Sequence, residues 1–157
     1  MKMLIVYDSV FGNTEKVARA MGAALEEPAE VAVKHVGDVT SDDLTGVSAL
    51  IVGSPTRKFT ATPAIKAWIK GLPPGSLEGV HVAAFDTRIE VTDDTPGILR
   101  FFVKLFGYAA EPMAAKLVKK GGTQGLEPAG FIVEGTEGPM GEGELKRAAA
   151  WAARMPI

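Results

Sequence analysis

Three short, largely apolar runs constrain this chain more than anything else in it: residues 3–7 (MLIVY), 48–53 (SALIVG) and 79–86 (GVHVAAFD). Each is too short for a buried helix, and the lack of polar alternation marks a strand covered on both faces. Between the runs the period changes. Val17, Met21 and Leu25, with Ala18 and Ala24 beside them, share one face of a helix starting at Asn13. Thr62-Pro63 opens a second helix, Thr as cap and Pro in the first turn, with Ile65, Trp68, Ile69 and Leu72 on its apolar face and Leu72-Pro73-Pro74-Gly75 ending it. Strands alternating with helices at this spacing mean a parallel sheet with helices on both faces, a three-layer α/β/α sandwich joined by right-handed crossovers.

The remaining segments fit the same plan. Residues 30–36 (EVAVKHV) alternate, as suits a strand nearer the sheet edge, and residues 41–44 read as a turn or short helical bridge. Thr95-Pro96 repeats the cap signature before a helix to about Tyr108 that is apolar nearly all round: Ile98, Leu99, Phe101, Phe102, Val103, Leu105 and Phe106. Residues 114–118 (AAKLV) and 130–134 (GFIVE) both read as strand, one last strand interrupted by an excursion or a small hairpin. A final helix over 141–154 places Leu145, Ala148, Ala149, Ala152 and Met155 inward. With no long linker or internal repeat, residues 1–157 read as a single domain.

Composition removes several function classes. The chain has no cysteine, which excludes disulfides, thiol catalysis and cysteine-held metals, and its two histidines, His35 and His81, lie far apart in sequence. A net charge of −2 does not suggest a nucleic-acid binder or a polybasic membrane contact. No apolar stretch is long enough to span a membrane, and the opening residues read as a buried strand rather than a signal peptide, so a cytoplasmic setting is expected.

In such sheets ligands sit outside the carboxyl ends of the strands, which directs attention to residues 8–14, 54–61 and 87–94. The first loop runs from buried strand to amphipathic helix. Ser9, Asn13 and Thr14 are compact hydrogen-bonding side chains, Gly12 lets the backbone approach a ligand, and the open N–H groups of the new helix favour an anion. Neither the Gly-Lys-Ser/Thr of a nucleotide-triphosphate loop nor a three-glycine dinucleotide fingerprint is present, so one terminal phosphate suits this loop best.

Tyr7-x-Ser9-x-x-Gly12-Asn13-Thr14, with Ala18 four residues on, resembles the FMN-phosphate loop of the flavodoxin family, and the likeness in element order extends over the whole chain. The resemblance implies a five-stranded parallel sheet in the order 2-1-3-4-5, FMN as cofactor, and phosphate contacts from Ser9, Gly12, Asn13 and Thr14. Val10 and Phe11 stand where flavodoxins often have hydroxyl residues, leaving their backbone N–H groups to serve. Pro55-Thr56 is similar to the start of the family's flavin-flanking loop, but Arg57 and Lys58 follow where a large aromatic is usual, with Phe59 next. Either Arg57 or Phe59 could cover a ring face. In the third loop Asp86, Thr87 and Arg88 stand where tyrosine and acidic character are usual. The bland alternatives are a capping Asp86 and an Arg88 paired with Glu90.

Two redox expectations follow. Arg57 and Arg88 beside the ring would stabilise reduced, anionic flavin and raise the second reduction potential above that of ordinary flavodoxins. Because residues 54–61 contain no glycine, a peptide rotation that needs positive φ would be costly, and the neutral semiquinone would accumulate little. The main reading is an FMN-binding electron carrier serving a redox partner protein or a small-molecule acceptor. The alternatives are an FMN-dependent NAD(P)H:quinone reductase and a descendant without flavin. The helix after Pro96, with Leu99 and Val103 off its main stripe, is a candidate homodimer face.

Overall fold

The computed structural model describes residues 1–25, 30–89, 95–135 and 137–156. The elements are β1 (Lys2–Tyr7), α1 (Asn13–Leu25), β2 (Glu30–His35), two short 3-10 turns (Val36–Asp38 and Ser41–Leu44), β3 (Ala49–Pro55), α2 (Pro63–Gly71), β4 (His81–Ile89), α3 (Gly97–Phe106), α4 (Ala110–Lys119), β5 (Thr123–Gln124), β6 (Ala129–Val133) and α5 (Glu144–Ala153). All strand pairs are parallel, in the order β2-β1-β3-β4, and β5 and β6 both pair with β4 as two pieces of a fifth strand. The expected 2-1-3-4-5 order is therefore present, with its last position split.

Period-2 alternation divides the core cleanly. Leu4 and Val6, Leu50 and Val52, and Val82 and Ala84 point to one face, against Ile65 and Ile69 of α2 and Met113 and Leu117 of α4. Met3, Ile5 and Tyr7, Ala49 and Ile51, and Ala83 and Phe85 point to the other, against Val17 and Met21 of α1 and Ala148 and Trp151 of α5. That second layer holds an aromatic cluster, with the Phe85, Phe131 and Trp151 ring centroids 6.0–6.3 Å apart and steeply inclined. Gly53 of β3 lies under it, and a Cβ there would run into the Phe85 ring.

Three expectations are corrected, while the helix expected to run to about Tyr108 ends close by, at Phe106. Residues 114–118 are the end of α4, not a strand: Met113, Ala114 and Leu117 bury one helical face, and a short apolar run cannot be told from a strand by pattern alone. The helix before it stops at Gly107, whose φ of 72° breaks the backbone so that α4 begins anew at Ala110. Thr62 caps α2 through its hydroxyl, accepting from the Ile65 N–H at 3.4 Å, but Pro96 holds the cap position of α3 and no side-chain bond closes that end. Leu145, expected inside, is exposed, and Trp151 takes the buried place on α5. Of the apolar residues expected all round the helix after Pro96, Ile98, Leu99 and Phe101 are exposed, and the side chains of Phe102, Leu105 and Phe106 lie outside those described.

The open side of β6 is occupied by its own chain. Glu144 Oε2 accepts from the Ile132 N–H at 2.6 Å, the Gly141 N–H donates to the Ile132 carbonyl at 2.8 Å, and Arg147 donates to the Gly130 carbonyl at 2.6 Å.

Candidate functional site

The strand register brings three loops together at one end of the sheet. Tyr7 lies beside Gly53, Ser54 beside Asp86, and Pro55 beside Thr87. Chain direction across the sheet reverses at β1 and β3, and the crevice at that point is where doubly wound sheets bind ligands. A cleft of about 210 Å³ lies there. Ser9, Val10, Phe11, Asn13 and Thr14 line one end, Pro55, Thr56, Arg57 and Lys58 another, and Thr87, Arg88 and Ile89 a third.

The first loop is shaped for an anion. Gly12 has a φ of 91°, a conformation L side chains rarely adopt. The Ser9 N–H donates to Asp8 Oδ1 at 2.9 Å, and the Ser9 hydroxyl accepts from the Gly12 N–H at 3.0 Å. The N–H groups of Val10, Phe11, Asn13 and Thr14 make no hydrogen bond among the described residues. Those of Asn13 and Thr14 open α1, where the positive end of the helix dipole also falls. Open donors converge on one rim of the cleft, and the group they fit is a phosphate.

Two of the expected phosphate ligands use their side chains differently. Asn13 is buried, and its amide donates to the Glu137 carbonyl at 3.0 Å, tying α1 to the loop after β6. Thr14 is also buried, its hydroxyl 2.8 Å from that of Thr87, so that a single hydrogen bond braces the first loop against the third. What these residues offer a ligand is mainly backbone.

The second loop is a tight hairpin. Arg57 and Thr60 exchange both backbone hydrogen bonds, at 2.8 and 3.1 Å. Lys58 and Phe59 between them have φ of 50° and 69°, the pattern of a turn that ordinarily takes Asn-Gly. The lack of glycine does not keep this loop out of positive φ, as the sequence had suggested; two L residues are held there instead. Of the two candidates for a ring face, Arg57 lines the cleft, its guanidinium carbon 5.7 Å from the centre of the Phe11 ring, and Phe59 does not line it.

The third loop departs most from expectation. Asp86 does not face the cleft. It is fully buried and grips Arg88 with both oxygens, at 2.6 and 2.7 Å, while accepting from the Ala110 N–H at 2.9 Å. Burial pushes its carboxyl above the ordinary value, and the guanidinium, the Ala110 N–H and the Thr56 hydroxyl pull it back. Arg88 itself lies flat, its guanidinium carbon 3.8 Å from the centre of the Tyr108 ring, with Gly130 beneath it where any Cβ would collide. Arg88 reaches the cleft wall as half of a neutral pair, so its charge does not act freely on a ligand. The alternative pairing with Glu90 falls on a residue outside those described.

Sequence reasoning passed over the loop after β6, although Val133 and Gly135 line the cleft. The signal was available: a glycine-rich stretch, Glu134–Gly143, follows a strand at the carboxyl edge, where the same rule directed attention to the other loops. Among the described residues no three His, Cys, Asp or Glu side chains converge as a metal site would require. No described helix is long and apolar enough to cross a membrane.

This is a doubly wound α/β protein with a cleft at its switch point, open backbone donors on one rim. Its fold is the flavodoxin fold. Over 91 residues it is 35% identical to a flavodoxin of Aquifex aeolicus (strain VF5), covering 55% of this chain and 49% of that protein. The matched region thus spans about half the length of that relative. Flavodoxin 1 of Bacillus cereus superposes with a TM-score of 0.75 at 18% identity, covering 98% of this chain and 96% of that one. The two-electron reduced flavodoxin of Megasphaera elsdenii superposes with a TM-score of 0.69 at 21% identity, covering 97% of this chain and 98% of that one. No family profile matches the chain.

Proposed function

We propose that this protein binds FMN in the switch-point cleft and transfers electrons through it. The observation that carries the reading is the set of open N–H groups at Val10, Phe11, Asn13 and Thr14, converging at the start of α1. They suit the FMN phosphate. Ser9 and Gly12 hold the loop in shape. Pro55, Thr56, Arg57 and Lys58 on one side and Thr87 and Arg88 on the other would flank the flavin ring, while Asp86 acts behind them by fixing Arg88. FMN, when bound, supplies the redox chemistry; the protein supplies the pocket and its field. No described residue is required as a catalytic acid or base.

The test is the visible spectrum of the purified protein with and without added FMN. A flavin spectrum that stays with the protein through gel filtration is expected. A colourless protein that takes up no FMN would sink the reading and favour a flavin-free descendant. The exposed cations Arg57 and Lys58 at the cleft mouth support the reductase alternative, since they would attract a phosphorylated nicotinamide donor. Turnover of NAD(P)H with benzoquinone, without an added reductase, separates that enzyme from a carrier. Exposed Ile98, Leu99 and Phe101 on α3 support self-association, which sedimentation would measure. The cysteine-free composition accords with a cytoplasmic location.

A further inference from the structure

Five of the eleven lysines in the chain line a single trough between α2 and α4, none of them among the residues that line the cleft. The trough measures about 350 Å³ and is lined by Lys66, Ala67, Ile69 and Lys70 from α2 and by Lys116, Lys119 and Lys120. With five positive charges here and −2 overall, the rest of the chain carries −7. The trough is thus a locally cationic face of a chain that is acidic elsewhere on balance.

The lysines are not used up locally. Lys120 donates to the carbonyls of Lys70 and Leu72, at 3.1 and 2.6 Å, and so closes the end of α2. Lys66, Lys70, Lys116 and Lys119 form no ion pair among the described residues. No acid occurs within α2, and α4 has only Glu111, at its opposite end. Balancing the helix dipoles would account for lysines in the last turns, Lys70, Lys116 and Lys119, but not for Lys66 or for the convergence of all the stems on one apolar floor.

The spacing describes the occupant. Both helices follow strands of the same parallel sheet and run back alongside each other. Lys66 and Lys70 lie four residues apart on α2 and Lys116 and Lys119 three apart on α4, about 6 and 4.5 Å along the axes, while Lys120, just past α4, is held by the Lys70 and Leu72 carbonyls. Two ammonium rows with helical spacing flank a floor of Ala67, Ile69 and lysine methylenes. We infer that this trough docks an acidic amphipathic helix of a partner protein, with carboxylates at i and i+4 on both flanks of an apolar stripe. The proposal stands apart from the FMN reading and survives or fails without it.

The probe is a synthetic twenty-residue helical peptide with glutamates at i and i+4 flanking a Leu/Ala stripe, titrated into the full-length, isotope-labelled protein. Amide shifts confined to residues 66–70 and 116–120 are expected, with affinity falling as salt rises. Lys66→Glu combined with Lys116→Glu should weaken binding at least tenfold, and a milder Lys66→Gln, Lys116→Gln pair should fall between. Lys116 is exposed and Lys66 half-buried, and an unchanged melting temperature would show the variants folded. Four results would overturn the proposal: no shifts at millimolar peptide, shifts centred on the cleft, equal affinity in the charge-reversed variant, or equal binding of a peptide with lysine in place of glutamate. Lysine-dependent binding to phosphatidylserine vesicles without peptide binding would likewise replace it with a membrane contact.

Discussion

Arg88→Ala should destabilise the protein by about 3–5 kcal/mol, the usual cost of removing one partner from a buried ion pair. Asp86 is 0% exposed and spends both oxygens on Arg88, so without the guanidinium only Ala110 N–H and the Thr56 hydroxyl remain to it. For a chain of this size the loss corresponds to a fall in Tm of roughly 6–20 °C. The pH dependence makes the test specific. Burial already raises the Asp86 carboxyl, and losing Arg88 removes the main force lowering it. A carboxyl whose folded value lies above its unfolded one binds more protons when folded, so stability falls as pH rises between the two. The deficit of the variant against the parent should therefore be smallest near pH 4 and grow toward neutrality. Asp86→Asn with Arg88→Met should recover much of the loss. Thermal or urea unfolding across pH reads all three. A deficit below about 1 kcal/mol, or one independent of pH, would refute the assignment of Arg88 as the counter-ion of a buried carboxylate.

The remaining expectations are smaller. Arg57→Ala should lower the second reduction potential of the FMN-loaded protein by about 20–40 mV, a screened charge worth ~0.5–1 kcal/mol, whereas Arg88→Ala should change it less because Asp86 takes up a proton as the guanidinium leaves; redox titration compares them. Thr87→Val strands the buried Thr14 hydroxyl and should cost about 1–3 kcal/mol, part of which Thr14→Val should restore in the double variant, as denaturant unfolding would show. Lys58→Gly releases an L residue from φ of 50° and should leave stability unchanged or raise it by up to about 1 kcal/mol.

The sheet was legible in the sequence because both-face burial leaves runs such as LIVG and VAAF that no other element explains. The last strand was legible in part: residues 130–134 were read as strand and form β6, but residues 114–118 were read as strand too, because α4 places Met113, Ala114 and Leu117 in a run as compact as one, and the two-residue β5, cut off at residues 125–128, left no signal. The phosphate end of the site was readable from Ser9, Gly12, Asn13 and Thr14 because a strand–helix turn has few uses for that combination. Asp86 and Arg88 were placed correctly along the chain but misread in role. Two residues apart on one strand they share a face, and opposite charges on one buried face satisfy each other before they serve a ligand. Phe59 was unreadable for a different reason: its orientation is set by a positive-φ turn that no glycine announces.

The capped side of β6 also determines how this molecule can meet another copy of itself. A bare edge strand offers a ladder to any passing chain, but here the Ile132 and Gly130 positions are already bonded to Glu144, Gly141 and Arg147. Growth by strand addition is closed at that edge while Glu144 stays ionised. Arg147 holds its carboxyl below the usual value, so the closure is complete above the ordinary glutamate range and is lost only as pH falls through the lowered one. At this edge, acid is the condition that would loosen the closure.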